Sequence, residues 1–269
     1  MLDITPFRVE AGRPADIRSR DSHSKQGFDG GKTEGKTALR PLNERLAELQ
    51  DRLWAESARK LLVVLQAMDT AGKDGTIRHV FKGVNPQGVS VTGFGVPSEL
   101  ELAHDYLWRV HQHAPRNGTV AIFNRSHYED VLVVRVKQLV PESRWRKRYR
   151  HIEEFERLLS DEGTTIVKLF LHISRDEQRQ RLQQRLDDPT KHWKFSVGDL
   201  EDRKLWDRYI DAYEEAITAT SAEHAPWYVV PADRKWYRNL VVSSILITTL
   251  EAMDPQYPPD PDLEGVLVD

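Results

Sequence analysis

Residues 61–77 read LLVVLQAMDTAGKDGTI. The first five are apolar and partly β-branched, the composition of a buried strand, and they run through Gln66 into a turn of small residues around Gly72-Lys73. A helix then starts near Thr76. A strand that ends this way and opens onto a helix aims unpaired backbone N–H groups and the positive helix end at one point, where an anion fits. Against the pattern GxxxxGK[ST], residues 67–74 read AMDTAGKD: the second glycine and the lysine match, Ala67 replaces the first glycine, and Asp74 replaces the hydroxyl residue.

On this reading Ala71, Gly72, Lys73, Asp74, Gly75 and Thr76 line a phosphate, the two glycines permitting close approach and Lys73 supplying a point charge. The plain alternative is a glycine-bearing turn with a solvent-facing lysine. Asp69 is the departure, because a carboxylate inside an anion-binding loop repels phosphate unless a cation lies between them. Mg2+, or Mn2+, is the natural mediator, so Asp69 is the candidate metal ligand; a loop cap on backbone amides is the alternative. Asp74 and Thr76 are also ordinary residues for a helix start.

Outward from this stretch, short apolar runs alternate with longer amphipathic ones. Strands are expected at 61–66, 89–93, 119–123, 165–172 and 227–231. Helices are expected at 76–84, 98–114, 127–139, 144–162, 175–186, 200–220 and 236–253. That order predicts an α/β fold, three layers with a mainly parallel five-stranded sheet. Residues 1–40, rich in Gly, Ser, Asp and Lys, read as a loosely ordered arm, or as one that clasps the core or lends lysines to an anion site. Residues 41–255 would form the domain, with a lid at about 175–205, and 256–269 a proline-rich tail.

A second motif, TVAIFNRSHYEDV at 119–131, is an apolar strand ending abruptly in polar residues, where an open α/β sheet gathers its ligand chemistry. Asn124 stands where a metal-organising aspartate is usual in phosphate-loop enzymes, so a metal carboxylate would come from Asp69 or Glu129. Arg125 offers a planar fork to phosphate oxygens. Ser126 with Glu129 also matches a capping box, which explains those two residues but not Arg125. Further on, Arg181 and Arg185 share a helical face and are followed by Lys191 and Lys194 in a turn. The set suits a lid that surrounds a transferring phosphoryl group; a solvated charged face is the alternative.

Composition removes several classes. The chain has no cysteine, so thiolate catalysis, disulfides and cysteine-bound zinc drop out. With 39 basic against 42 acidic residues, bulk charge does not recommend nucleic acid. No apolar run approaches a membrane span and the N-terminus lacks the apolar core of a secretory signal, so a cytoplasmic protein without membrane partners is expected.

Taken together, QAMDTAGKDGTI, GVNPQG, FNRSHYEDV and KHWKFS resemble the family-2 polyphosphate kinases, over about residues 41–253. The resemblance implies a P-loop kinase fold with a helical lid, magnesium dependence, and phosphoryl transfer between inorganic polyphosphate and nucleoside mono- or diphosphates, adenine or guanine. It implies Asp69 with the metal, Lys73 and Arg125 at phosphates and Arg185 in the lid. Family members that prefer diphosphates tend to read DRSWYNR where this chain reads NRSHYED. The latter resembles the class III type, which accepts both AMP and ADP, with Glu129 at the distinguishing position. A homo-oligomer is expected. The same loop and lid would also serve an ATP-dependent nucleotide kinase. A non-catalytic nucleotide-binding regulator is the third reading, against which the intact Lys73, Arg125 and lid arginines argue.

Overall fold

The computed structural model describes residues 1–259. Six strands form one sheet in the order β1-β6-β5-β2-β4-β3: β1 (Arg8–Val9), β2 (Lys60–Gln66), β3 (Val89–Gly93), β4 (Val120–Asn124), β5 (Thr164–His172) and β6 (Trp227–Pro231). The five longer strands are those expected and run parallel. The sixth, β1, is antiparallel to β6 and comes from the N-terminal arm. β2, β5 and β6 are buried along almost their whole length, which is why they are written as continuous apolar runs; the edge strand β3 is largely exposed.

Three helices cover one face, α1 (Lys32–Glu56), α2 (Lys73–Val80) and α10 (Lys235–Met253), and α6 (Glu142–Asp161) with α9 (Trp206–Thr220) cover the other. α10 is buried almost all round, being packed between α1 and the sheet. α1 crosses it closely at Gly35, where a Cβ would collide with the Trp236 ring.

Four expected elements take another form. Residues 1–40 are not loose: Phe7, Val9, Ala15 and Ile17 are buried, and α1 starts at Lys32 and carries Pro41 inside it. This is the clasping alternative. The helix expected over 98–114 is two short ones, α3 (Glu99–Leu102) and α4 (Trp108–His111), because the Asp105 carboxylate accepts from the N–H groups of Leu107 and Trp108 and starts a new turn. The one expected over 127–139 is a 3-10 turn, His127–Asp130, followed by α5 (Val133–Val136); its run of valines disfavours a longer helix. The one expected over 200–220 breaks at Leu205 between α8 (Val197–Lys204) and α9. The helix at α7 (Arg175–Asp187) forms as expected. Of the expected proline-rich tail, residues 260–269 lie outside the described residues. No helix among the described residues is long and apolar enough to cross a membrane.

Behind β4 a polar network is sealed in the core. Lys168 of β5 donates to Glu156 of α6, to the Tyr128 hydroxyl at 3.0 Å and to the Thr220 carbonyl at 2.7 Å, and His127 Nε2 lies 3.2 Å from Glu156. All of these side chains are buried. Removing one member of a buried ion pair strands the other, so Lys168→Met should cost about 3–5 kcal/mol of stability, while Lys168→Met with Glu156→Leu costs less. Urea unfolding of the two variants checks this; a single variant as stable as the wild type would contradict it.

Candidate active site

The parallel register brings Leu65 of β2, Asn124 of β4 and Gly93 of β3 to one level, so the loops that follow all open at the same edge. After β2 the chain turns through Thr70 (φ 66°) and Gly72 (φ 103°) into α2. Gly72 is needed twice, once for its left-handed φ and once because a Cβ there would meet the Arg238 guanidinium. The Thr76 hydroxyl turns back to the Gly72 carbonyl at 3.1 Å, inside the first helical turn.

Two buried arginines hold this loop from behind. The Ala71 carbonyl accepts from Arg181 Nη1 at 2.8 Å and from Arg238 Nη1 at 3.0 Å. Arg181 also donates to the carbonyls of Thr70, Ala232 and Asp233 and, through Nε, to Glu177. All its nitrogens are thereby engaged, so Arg181 clamps the loop while also lining the larger of the two hollows that meet there. Arg238 has no carboxylate partner among the described residues, and burial together with the neighbouring Arg181 lowers its pKa to about 9.

Lys73 folds back over the loop, donating to the Ala67 carbonyl at 3.1 Å. Burial first, and the Arg125 charge second, bring its pKa down from 10.5 to about 8, against the pull of Asp69 and Glu129. Arg125, itself at φ 66°, reaches Asp69 Oδ1 at 2.5 Å and Glu129 Oε2 at 3.2 Å. The Glu129 carboxylate, more than any other neighbour, raises its pKa. Asn124 donates to Asp74 at 2.8 Å instead of facing a metal. From the lid, Arg185 donates to the Lys194 carbonyl at 2.9 Å and to Asp199 at 3.3 Å, and Lys194 Nζ stands 3.9 Å from Asp74. Lys191 pairs with Asp188 and half of its side chain is exposed.

Two hollows meet at this loop. One, about 390 Å3, is lined by Asp69, Lys73, Asn124, Arg125 and the Phe94-Gly95 turn. The other, about 620 Å3, carries nine lysines and arginines against three carboxylates, Lys32 and Lys36 of the arm side among them. Thr70, Gly72, Asp74, Arg185 and Lys194 border both. Gly75 lies in the larger hollow, beside Arg238. Among the described residues no three acidic or histidine side chains gather as a metal cage. Asp69, with only Oδ1 committed among the described residues, fits a Mg2+ ion taken mainly by substrate oxygens and water, which needs only one or two protein carboxylates.

The chain matches the family model for polyphosphate kinase 2 (PPK2) over residues 30–258. The chain belongs to the polyphosphate kinase 2 family. It is 62% identical over 264 residues to an AMP/ADP-polyphosphate phosphotransferase of Meiothermus ruber, covering 98% of this chain and 99% of that one. It is 46% identical to an ADP-polyphosphate phosphotransferase of Rhodopseudomonas palustris, covering 94% and 91%. A crystal structure of polyphosphate kinase 2 from Arthrobacter aurescens TC1 superposes with a TM-score of 0.91 at 45% identity, covering 95% of this chain and 91% of the other.

The candidate site thus brings together Asp69, Lys73, Arg125, Glu129, Arg185 and Lys194, with Arg181 and Lys191 on the wall of its larger hollow. Sequence reading missed Arg238, Gln178, whose amide donates to the Asp69 carbonyl at 3.1 Å, and Asp199. Arg238 carries a signal in hindsight, as the last cation before the apolar run that starts at Leu240.

The Lys73 ammonium is expected to titrate near pH 8. Because the unfolded lysine holds its proton up to about 10.5, the folded state gains stability from this group as pH rises from 8 to 10.5, and carries the cost of a desolvated charge below 8. NMR of the Lys73 side chain in the ligand-free protein checks the midpoint; a titration at 10.5 would contradict it.

Proposed function

We propose that this enzyme moves the terminal phosphoryl group between inorganic polyphosphate and AMP or ADP, with Mg2+ and without a covalent intermediate. The observation that carries the reading is the pair of hollows joined at the phosphate loop. The larger one has far more cationic charge than a single nucleotide needs, which suits a chain of phosphates. Both named relatives use polyphosphate, and one of them both AMP and ADP.

In the forward direction an oxygen of the nucleotide's terminal phosphate attacks the end phosphorus of the chain. The bridging P–O bond breaks, and the shortened polyphosphate leaves with the electron pair. Lys73 and Arg125 neutralise the equatorial oxygens, and Arg185 and Lys194 exchange their carboxylate partners for phosphate as the lid closes. Asp69 would hold Mg2+, which when bound would offset the charge of the phosphates. Glu129, by holding Arg125, sets how far that guanidinium reaches toward a mono- or a diphosphate. Guanine nucleotides as further acceptors, and a homo-oligomeric assembly, belong to the same proposal.

The deciding experiment offers ADP and Mg2+ with either polyphosphate or ATP as donor. ATP formed from polyphosphate and ADP is the expected result; transfer to AMP or another acceptor from ATP alone would favour an ordinary nucleotide kinase. Lys73→Ala and Arg125→Ala should each lower kcat/KM by about 10³, the scale of a positioned cation in phosphoryl transfer, and near-normal rates would remove those roles. Glu129→Asn should weaken use of AMP more than ADP, an outcome read from the ratio of the two kcat/KM values.

A further inference from the structure

Among the buried carboxylates that the mechanism leaves unused is that of Asp233, two residues beyond the end of β6. Its side chain is 6% exposed and joins three parts of the molecule. Oδ1 accepts from the backbone N–H of Ser174 at 2.8 Å, the cap residue at the root of the lid helix α7. Oδ2 accepts from the Ser22 hydroxyl of the N-terminal arm at 3.0 Å, and the backbone N–H of Asp233 donates to the Ser22 carbonyl at 3.1 Å. The Asp233 carbonyl accepts from Arg181 Nη2, and Nη1 of the same side chain holds Thr70 and Ala71 of the phosphate loop. Arm, lid root and loop are therefore one hydrogen-bonded unit with Asp233 at its centre.

The arm is fastened again just beyond this point. Arg234 donates to the His23 carbonyl at 3.0 Å, and the Tyr237 hydroxyl donates to Gln26. Asp233, Arg234, Lys235 and Arg238 all line the larger hollow. Residues 1–29 lie outside the span matched to the family model, so this fastening comes from a segment beyond the family core.

We propose that Asp233 is a positioning residue through which the arm holds the phosphate loop and the lid root in register for the phosphate-chain substrate. The proposal rests on the donor reading above for the identity of that substrate, but the coupling itself does not. Loss of the Asp233 bonds frees the Ser174 amide and the 232–233 backbone, and with them the carbonyls that orient Arg181. The effect should fall most on the larger hollow, which Asp233 and its neighbours line, and less on the smaller one, which shares only the loop.

Asp233→Ala and Ser22→Ala test this in the full chain with two readouts. Steady-state kinetics with polyphosphate and ADP should show the KM for polyphosphate rising about five- to tenfold in Asp233→Ala and less in Ser22→Ala, with the KM for ADP within about twofold. Hydrogen exchange of the ligand-free proteins should show faster exchange over 67–73 and 174–177 in both variants. If Asp233→Ala does not fold, Ser22→Ala carries the same two readouts. A lowered Tm with unchanged exchange over 67–73 and unchanged KM for polyphosphate would overturn the proposal, leaving Asp233 merely structural. If the wild type makes no ATP from polyphosphate, the donor reading fails, and unchanged exchange over 67–73 still overturns the coupling on its own.

Discussion

Two guanidinium groups, those of Arg181 and Arg238, converge on one carbonyl oxygen in the interior, that of Ala71. Like charges so close, one of them without a carboxylate among the described residues, are costly to bury, and the cost is met by the backbone oxygens around Arg181 and by the Asn239 side chain beside Arg238. The return is a fixed phosphate loop. With its carbonyls drawn down from behind, the loop opens its N–H side and the start of α2 toward the cleft, and Gly72 is the only residue type that fits between.

Around that loop the charges of the site already balance one another. Arg125 is shared between Asp69 and Glu129, Arg185 rests on Asp199, and Lys194 faces Asp74. Each carboxylate occupies a place at a cation that a phosphate oxygen can take over. Such pairs spare the unliganded protein a cluster of bare cations, and the stronger, multiply charged substrate displaces them.

Much of this was legible in the residues because parallel strands buried on both faces are written as unbroken apolar runs, and a strand–turn–Gly-Lys–helix sequence has few uses. The five long strands, the loop at 67–76 and the pairing of Arg125 with the phosphate site followed from that. The N-terminal segment was misread because its Gly, Ser, Asp and Lys content looks like that of an unpacked arm, whereas Gly35 is the close-approach point of two helices and Pro41 is tolerated inside α1. The inserted stop at Asp105 is a side-chain competition that periodicity does not register. Arg181 was assigned to phosphate because its spacing with Arg185 places both on one helical face; that its donors turn inward to carbonyls is a tertiary fact. Arg238 and Asp233 are joined to the loop across more than 150 residues, a separation at which no sequence pattern speaks.

The arrangement of two hollows about one loop makes a demand on where substrates lie. A crystal structure of the enzyme with Mg2+, ADP and a non-transferable polyphosphate analogue tests it most directly. The expected map has the phosphate chain running past Arg238 and Lys235 to end at the loop, and the ADP phosphates at Lys73 and Arg125 in the smaller hollow. Both ligands on one side of the loop, or a chain bound away from it, would contradict the account.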